Sequence, residues 1–214
     1  MNVIFGTSGA AREIDWLISD IQQSGKPVRG HTHFVGLNQI GSKIQGKEVI
    51  NESNFFNRLT MLTDCSVYLG FGDGLLRRIF FNQLVKYTQI NFPSLVHPSI
   101  IRDERPSSVQ FGKGTFIAAG NVLMCNIKIG EFNYLNIGNT IGHDCEFGDF
   151  VTISPGCRIS GNVQIGHNTF IGTGAIILDK VTIAHNTIIG AGCVVNKSIN
   201  EPGTYVGVPA RKLK

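Results

Sequence analysis

A large apolar residue recurs at every sixth position through the second half of this 214-residue chain. The series runs for fourteen steps of six without a polar interruption. Its members are Phe111, Ile117, Leu123, Ile129, Leu135, Ile141, Phe147, Ile153, Ile159, Ile165, Ile171, Ile177, Ile183, Ile189 and Val195. A period of six matches neither an α-helix nor an ordinary strand. It predicts a parallel β-helix, in which each hexad supplies one short strand and one corner, and three hexads complete a triangular coil.

Small residues accompany this series. The position after the apolar residue is small in eleven of the fifteen hexads: Gly112, Ala118, Gly130, Gly142, Gly148, Ser154, Ser160, Gly166, Gly172, Ala184 and Gly190. The position two before it is compact in most hexads, as at Cys145, Val163 and Thr187. We interpret the first set as corner residues with unusual backbone angles. The second set is predicted to point into a narrow prism.

The first part of the chain follows a different pattern. The apolar run Val3–Phe5 leads into a Gly-rich turn and then into apolar positions at helical spacing. Ser66–Gly70 leads in the same way into the turn Phe71–Gly74 and a second helix. Alternating strands and helices predict a small Rossmann-like parallel sheet. Ligands of such sheets bind at the carboxyl ends of the strands, although Gly-x-x-Gly alone is also typical of plain tight turns.

These patterns divide the chain into three parts. Residues 1–92 form an α/β domain, 93–108 a Pro-containing linker, and 109–214 a β-helix with a C-terminal tail. The net charge of +4 is too small to indicate nucleic-acid binding. No apolar run is long enough for a membrane span, and the start lacks the pattern of a signal peptide, so we expect a cytoplasmic protein. The five cysteines lack metal-ligand spacing, and no metal is expected.

One corner of the predicted β-helix has the composition of a catalytic site. His143 stacks between Cys125 and Gly161, which lie one coil away on either side, and both are small. Asp144 follows it and is placed to orient one ring nitrogen. An accessible imidazole oriented by a carboxylate is suited to general-base catalysis. His167 and His185 share another corner and are interpreted as solvated side chains.

Two further positions stand out on the coils. Asn136 is bulkier than the corner rule predicts, which indicates a structural ladder or a substrate contact. Thr173 and Ala191 lie one coil apart, each after a glycine, and form a smooth edge. A thin extended ligand such as pantetheine fits an edge with few side chains.

The hexad array resembles the left-handed β-helix acyltransferases, and more narrowly the sialic-acid O-acetyltransferase-like family with its nucleotide-linked 4-amino-sugar N-acetyltransferases. The likeness extends over essentially the whole chain. It is based on the corner Ile141-Gly142-His143-Asp144, the hexad Gly161-Asn162-Val163-Gln164-Ile165-Gly166 and the tail Val206-Gly207-Val208-Pro209-Ala210-Arg211.

The resemblance implies a left-handed coil and a homotrimer with acetyl-CoA between adjacent β-helices. His143 matches the catalytic base, Asp144 the adjacent acid and Asn136 a substrate-side asparagine. Acetyl-CoA contacts are implied for Thr152, Thr173 and Ala191. Nucleotide contacts are implied for Thr7, Ser8, Gly9, Gly72 and Asp73, and for Asn38 at the end of the second strand, where relatives commonly have acidic residues.

The leading hypothesis is acetyl transfer from acetyl-CoA to the amine of a nucleotide-linked amino-dideoxy sugar. O-acetylation of a sialic acid or a related sugar uses the same fold and base, and it remains the alternative. A metal-binding β-helix hydratase needs three clustered histidines, which the spacing of the histidines does not favour. A non-catalytic binding module or scaffold is the remaining alternative.

Overall fold

The computed structural model describes residues 1–25, 28, 30–36, 42–59, 61 and 64–213. The amino-terminal part is an α/β domain with three helices and a mostly parallel sheet. In chain order its elements are β1 (Asn2–Phe5), α1 (Gly9–Gln23), β2 (Thr32–Gly36), β3 (Lys43–Ile44), β4 (Lys47–Asn51), α2 (Glu52–Leu59), β5 (Cys65–Leu69), α3 (Gly74–Leu84) and β6 (Ile90–Asn91).

The sheet has the order β3-β4-β2-β1-β5-β6, and β1 pairs in parallel with β2 on one side and β5 on the other. Helix α1 buries one face, with Ile14, Leu17 and Ile18 at helical spacing. The predicted Rossmann-like sheet is therefore confirmed. The antiparallel pair β3–β4 was not predicted, because these strands are short and rich in lysine.

The remainder of the chain forms a left-handed parallel β-helix, as predicted, with three sheets that we name the first, second and third faces. The first face contains Leu95–Val96, Phe116–Ile117, Tyr134–Leu135, Thr152–Ile153, Phe170–Ile171, Thr187–Ile189, Gly203–Val206 and, antiparallel at its end, Arg211–Lys212. The second contains Ile101–Arg102, Val122–Leu123, Thr140–Ile141, Arg158–Ile159, Ile176–Ile177 and Val194–Val195. The third contains Val109–Phe111, Ile127–Ile129, Glu146–Phe147, Gln164–Ile165 and Thr182–Ile183.

The coil begins before residue 109. Two strands within the segment 93–108, Leu95–Val96 and Ile101–Arg102, pair in parallel with strands of the first and second faces. The segment predicted as a linker therefore contains most of an initial coil. Its strands stand outside the unbroken hexad series, and for this reason the periodicity did not locate them.

The strands of successive coils pair eighteen residues apart, as the repeat predicts; Ile141, for example, lies beside Ile159. We name the first corner as the turn between the first and second faces, the second corner as the turn between the second and third, and the third corner as the turn that returns to the first face. The second corner comprises residues 142–145, 160–163 and 178–181. It lies opposite the first face.

The interior contains the periodic apolar residues and the small residues that precede them. Ile117, Leu135, Ile153 and Ile171 are fully buried, and Cys145, Cys157 and Val163 fill the narrow space between them. Buried asparagines satisfy the backbone at the turns; for example, Asn133 Oδ1 accepts from the Val151 N–H at 2.8 Å. Hydrogen-bonded amides therefore replace apolar residues at these positions without leaving buried backbone groups unpaired.

The glycines that follow the apolar series have a different role from the one predicted. Gly142 does not have a positive φ; a β-carbon on it would lie 2.6 Å from the backbone nitrogen of Gly161 in the next coil. These positions are small because adjacent coils approach closely there. The unusual angles occur later in each turn, as at Gly138 (φ 70°) and Asp144 (φ 57°).

The α/β domain covers the lower part of the first face. Leu95, Phe116 and Tyr134 project outward from this face and pack in one buried cluster with Leu17 of α1. At the third corner, the Phe81 ring of α3 lies 4.5 Å from the ring of Phe132. The second corner, on the opposite side of the prism, is left uncovered by the described residues of this domain.

Candidate active site

His143 lies on the second corner as the sequence predicts, with its side chain 53% exposed. Its Nδ1 lies 2.7 Å from Asp144 Oδ2. Asn126 Nδ2, one coil below, donates to the other oxygen of this carboxylate at 3.0 Å. The hydrogen bond from His143, followed by that from Asn126, lowers the pKa of Asp144. A carboxylate fixed on both oxygens holds Nδ1, so Nε2 is the nitrogen available to a substrate.

The imidazole ring occupies space that only a glycine leaves open. A β-carbon on Gly161 would lie 2.6 Å from His143 Nε2 and 2.7 Å from Cε1. Real β-carbons essentially never approach other atoms so closely. Gly161 therefore allows the ring to lie against the next coil. The predicted stacking of a small residue beside His143 is seen directly in this contact.

A shallow groove of about 780 Å³ runs along the first corner. Its floor is formed by small residues of successive coils, including Gly120, Gly138, Gly156 and Thr173, and Trp16 of α1 closes one end. Thr173 therefore lies where the smooth edge was predicted. Ala191 lies exposed one coil above Thr173 and does not line the groove itself.

Thr152 is buried and has no free hydroxyl. Its Oγ1 donates to the carbonyl of Gly72 at 2.8 Å and accepts from Arg77 Nη2 at 2.9 Å. The acetyl-CoA contact implied for Thr152 stays a prediction, and this hydroxyl already has two partners within the chain. The threonine joins the β-helix to the α/β domain, a role that the hexad pattern does not indicate.

Arg77 is the fully buried centre of this junction. Besides Thr152, its guanidinium donates to the carbonyl oxygens of Phe71, Gly72, Phe132 and Val151 at 2.7–3.2 Å. Burial lowers the pKa of Arg77 to about 10. The residue was missed because an arginine in a short helix resembles a solvated surface residue, and no sequence signal distinguishes it from Arg78.

A cavity of about 440 Å³ lies at the carboxyl ends of β1 and β2. Thr7 and Ser8 line it, as predicted, and Glu52 and the stacked rings of Phe71 and Phe80 form further walls. Ser8 precedes α1, and its side chain makes no capping hydrogen bond. The first-turn N–H groups of α1 and the Ser8 hydroxyl are therefore available to an anion.

The other predicted nucleotide residues differ in position. Gly9 is the first residue of α1, and a β-carbon there would meet nothing within 4 Å, so a ligand has room to approach. The Gly72 carbonyl accepts a hydrogen bond from Arg77 Nη1 at 3.2 Å, and the Asp73 carboxylate accepts one from the Leu75 N–H at 2.7 Å. Asp73 lines a separate cleft beside the third corner and does not line the first cavity. Asn38 lies outside the described residues.

Asn136 lies on the first corner, near α1 and away from His143 of the same chain. Its Nδ2 donates to Glu13 Oε2 at 3.4 Å, and the Tyr134 hydroxyl donates to the same oxygen. Its own Oδ1 accepts from the Ile137 N–H. Asn136 and the groove therefore share one corner, whereas His143 and Asp144 occupy the next.

The remaining histidines of the β-helix make local contacts. His167 Nδ1 accepts from the Asp149 N–H at 2.8 Å on the third corner, where His185 also lies. Over the described residues, no three His, Cys, Asp or Glu side chains are grouped as a metal site. Each helix in the described part of the chain is too short or too polar to cross a bilayer.

Comparison with known proteins is consistent with this arrangement. Residues 162–197 match the bacterial transferase hexapeptide (six repeats) family model. The acetyltransferase domain of PglB from Neisseria gonorrhoeae, solved with acetyl coenzyme A, is 26% identical with a TM-score of 0.87, over 99% of this chain and 98% of that one. WeeI from Acinetobacter baumannii is 29% identical with a TM-score of 0.86, over 100% of this chain and 99% of that one.

A third similar structure is perosamine N-acetyltransferase from Caulobacter crescentus, a histidine-to-asparagine mutant solved with CoA and GDP-perosamine. It is 25% identical with a TM-score of 0.85, over 100% of this chain and 96% of that one. Curated protein sequences include no match to this chain. The predicted resemblance of the chain to the left-handed β-helix, hexapeptide-repeat acyltransferases is therefore confirmed over its full length.

Proposed function

We propose that this protein transfers acetyl from acetyl-CoA to the amine of a nucleotide-linked amino-dideoxy sugar. The oriented His143–Asp144 pair carries the proposal, because its Nδ1 is held at 2.7 Å and its Nε2 remains open. The similar structures solved with acetyl coenzyme A, or with CoA and GDP-perosamine, support the two substrate classes. Thr7 and Ser8 are the residues best placed for the nucleotide phosphates.

In the proposed reaction, the amine nitrogen attacks the thioester carbonyl carbon while His143 Nε2 takes a proton from the amine. The tetrahedral intermediate collapses, the carbon–sulfur bond breaks, and the CoA thiolate takes the proton from the imidazolium. Asp144 holds the ring through Nδ1 and stabilises its protonated form. A backbone N–H of the β-helix wall stabilises the oxyanion. No covalent enzyme intermediate is needed.

The first-corner groove is proposed as the site of the coenzyme. Within one chain, the second face separates this groove from the base, since Ile137 and His143 are six residues and roughly 20 Å of extended strand apart. We therefore propose that pantetheine in the groove of one chain serves the base of an adjoining chain. The catalytic site is complete when the first corner of one copy meets the second corner of the next.

The outward surface of the β-helix supports a homotrimer of this kind. The α/β domain covers the lower part of the first face, whose upper strands expose Phe170 and Ile188. The third face presents polar side chains: Gln110, Lys128, Glu146, Gln164 and Thr182. The second face and its adjoining corner present Ile101, Met124, Ile176 and Leu178, each at least 37% exposed. Burying this apolar surface between copies is favourable. In a closed ring of three copies, the first corner of each copy meets the second corner of the next, and no such surface is left unpaired.

A thiol-release assay with acetyl-CoA tests the activity. The acceptor panel contains GDP-perosamine, dTDP-4-amino-4,6-dideoxyglucose and a UDP-linked amino sugar. His143→Ala should lower turnover by about 10²–10⁴-fold while acetyl-CoA binding persists. His167→Ala, on the third corner, is the matched control and should retain activity. Equal turnover in the His143 variant and the wild type would contradict the assignment.

A further inference from the structure

The side chain of Asp179 lies beside the open face of the proposed base. Asp179 is one coil above Gly161 and two above His143 on the second corner. A β-carbon on Gly161 would lie 3.1 Å from Asp179 Oδ1 and 2.6 Å from His143 Nε2. The two distances share one endpoint, so Asp179 Oδ1 and His143 Nε2 are at most 2.6 + 3.1, or 5.7 Å, apart.

The two groups do not pair with each other. The ion pair of His143 is with Asp144 through Nδ1, and Asp179 contacts Lys180 through Oδ2 at 3.7 Å. Oδ1 of Asp179 and Nε2 of His143 are thus more than 4.0 Å but no more than 5.7 Å apart. A hydrogen bond spans about 2.7–3.2 Å between heavy atoms, so one atom of a ligand can contact both.

We propose that Asp179 and His143 together hold the acceptor amine, and that Asp179 selects an amine over a hydroxyl. This inference rests on the proposed function and identifies its acceptor class. An ammonium group has three hydrogens, so it donates one to Asp179 Oδ1 and directs another toward His143. A hydroxyl has one hydrogen and donates to only one of the two groups. The charge of Asp179 further favours a cationic acceptor.

The proton balance follows from this placement. The ammonium first loses one proton to solvent, and the neutral amine then attacks the thioester carbonyl carbon while His143 Nε2 takes a second proton. Asp179 retains its negative charge and accepts a hydrogen bond from an N–H throughout. After the carbon–nitrogen bond forms, the carbon–sulfur bond breaks and the CoA thiolate takes the proton from the protonated His143. The carboxylate neither forms a covalent bond nor changes its protonation state.

The test uses the full chain and compares amino with hydroxyl ligands. GDP-perosamine and dTDP-4-amino-4,6-dideoxyglucose are titrated calorimetrically beside their 4-hydroxy counterparts, and the amino compounds are also assayed for thiol release. Asp179→Ala should weaken binding of an amino ligand about 10- to 100-fold, the value of a charge-assisted hydrogen bond. Binding of the hydroxy ligand and the KM for acetyl-CoA should stay unchanged.

Lys180→Asn is the matched control. It removes the neighbouring charge, and asparagine tolerates the positive φ of 60° at this position. It should keep the preference for the amino ligand. A wild-type chain that acetylates none of the panel would contradict the proposed function, while the binding ratios would still test Asp179. An equal loss for amino and hydroxy ligands in Asp179→Ala, or no loss, would overturn the assignment of Asp179.

Discussion

Gly161→Ala is the most direct test of how the base is held. The new methyl group would lie 2.6 Å from His143 Nε2, and ordinary van der Waals contact begins at about 3.4 Å. The ring must therefore shift by about 1 Å or rotate away. A misplacement of this size costs about 10²-fold in rate when the reacting groups are otherwise aligned.

The same substitution should not destabilise the fold. Gly161 does not have a positive φ, so alanine is compatible with the backbone there. Replacing glycine at a compatible position stabilises a protein by about 0.4–1 kcal/mol through the unfolded chain. The half-exposed imidazole can move without opening the core. We expect turnover to fall about 100-fold while the unfolding temperature stays constant or rises slightly.

Gly112→Ala provides a control with the opposite signature. Its β-carbon would lie 2.8–2.9 Å from Cγ, Cα and N of Glu131, so the backbone of the next coil must move. This variant should lose stability and keep its turnover per folded chain. Thiol release at saturating substrates and thermal unfolding are measured on both variants. Wild-type turnover in Gly161→Ala, or a loss that only follows unfolding, would refute the positional role of Gly161.

Three further predictions concern the trimer, the junction and the pH dependence. The His143→Ala and Thr173→Trp variants should each be nearly inactive. When the two are co-expressed, about a quarter of the shared sites should pair an intact base with an intact groove, so activity should partly return. Absence of recovery on co-expression contradicts a shared site. Arg77→Met should lower the free energy of unfolding by about 3 kcal/mol in denaturant titrations, because buried carbonyls lose their donor. The pKa of Asp144 is lowered in the folded chain, so its contact with His143 is fully present at pH values above the ordinary pKa of an aspartate. The contact is lost only as the pH falls through the lowered pKa of Asp144, and an NMR titration of the Asp144 carboxyl signal should show this.

Much of the fold could be predicted because the repeat is regular. A period of six sustained for fourteen steps determines the stacking of each coil, and the Ile141–Ile159 pairing has the predicted register. The initial coil was harder to recognise, because Leu95 and Ile101 lie outside the unbroken series. The β3–β4 pair was harder again, since two short strands that each begin with a lysine resemble a loop until they pair with each other.

The corner that contains the proposed base could be predicted for the same reason, whereas the junction between domains could not. His143 and its neighbours are related by multiples of eighteen residues, so the repeat alone places them together. Thr152 and Arg77 are 75 residues apart and belong to different domains. Their contact depends on how the α/β domain lies against the first face, which no local pattern specifies. The hydrogen bond from Arg77 to Thr152 was therefore not predicted.

The position of Asp179 shows that residues thirty-six positions apart, two coils along the repeat, can also be predicted to lie near each other. Gly161 lies eighteen residues after His143, and Asp179 lies eighteen residues after Gly161. Gly161 contributes no side chain between the proposed base and the next coil, and Asp179 Oδ1 therefore lies within 5.7 Å of His143 Nε2. Side chains two coils from the base can therefore contact the same ligand atom, provided that the coil between them contributes no β-carbon. In repeats of this kind, the residues on both sides of such a glycine are the ones to test for acceptor selection.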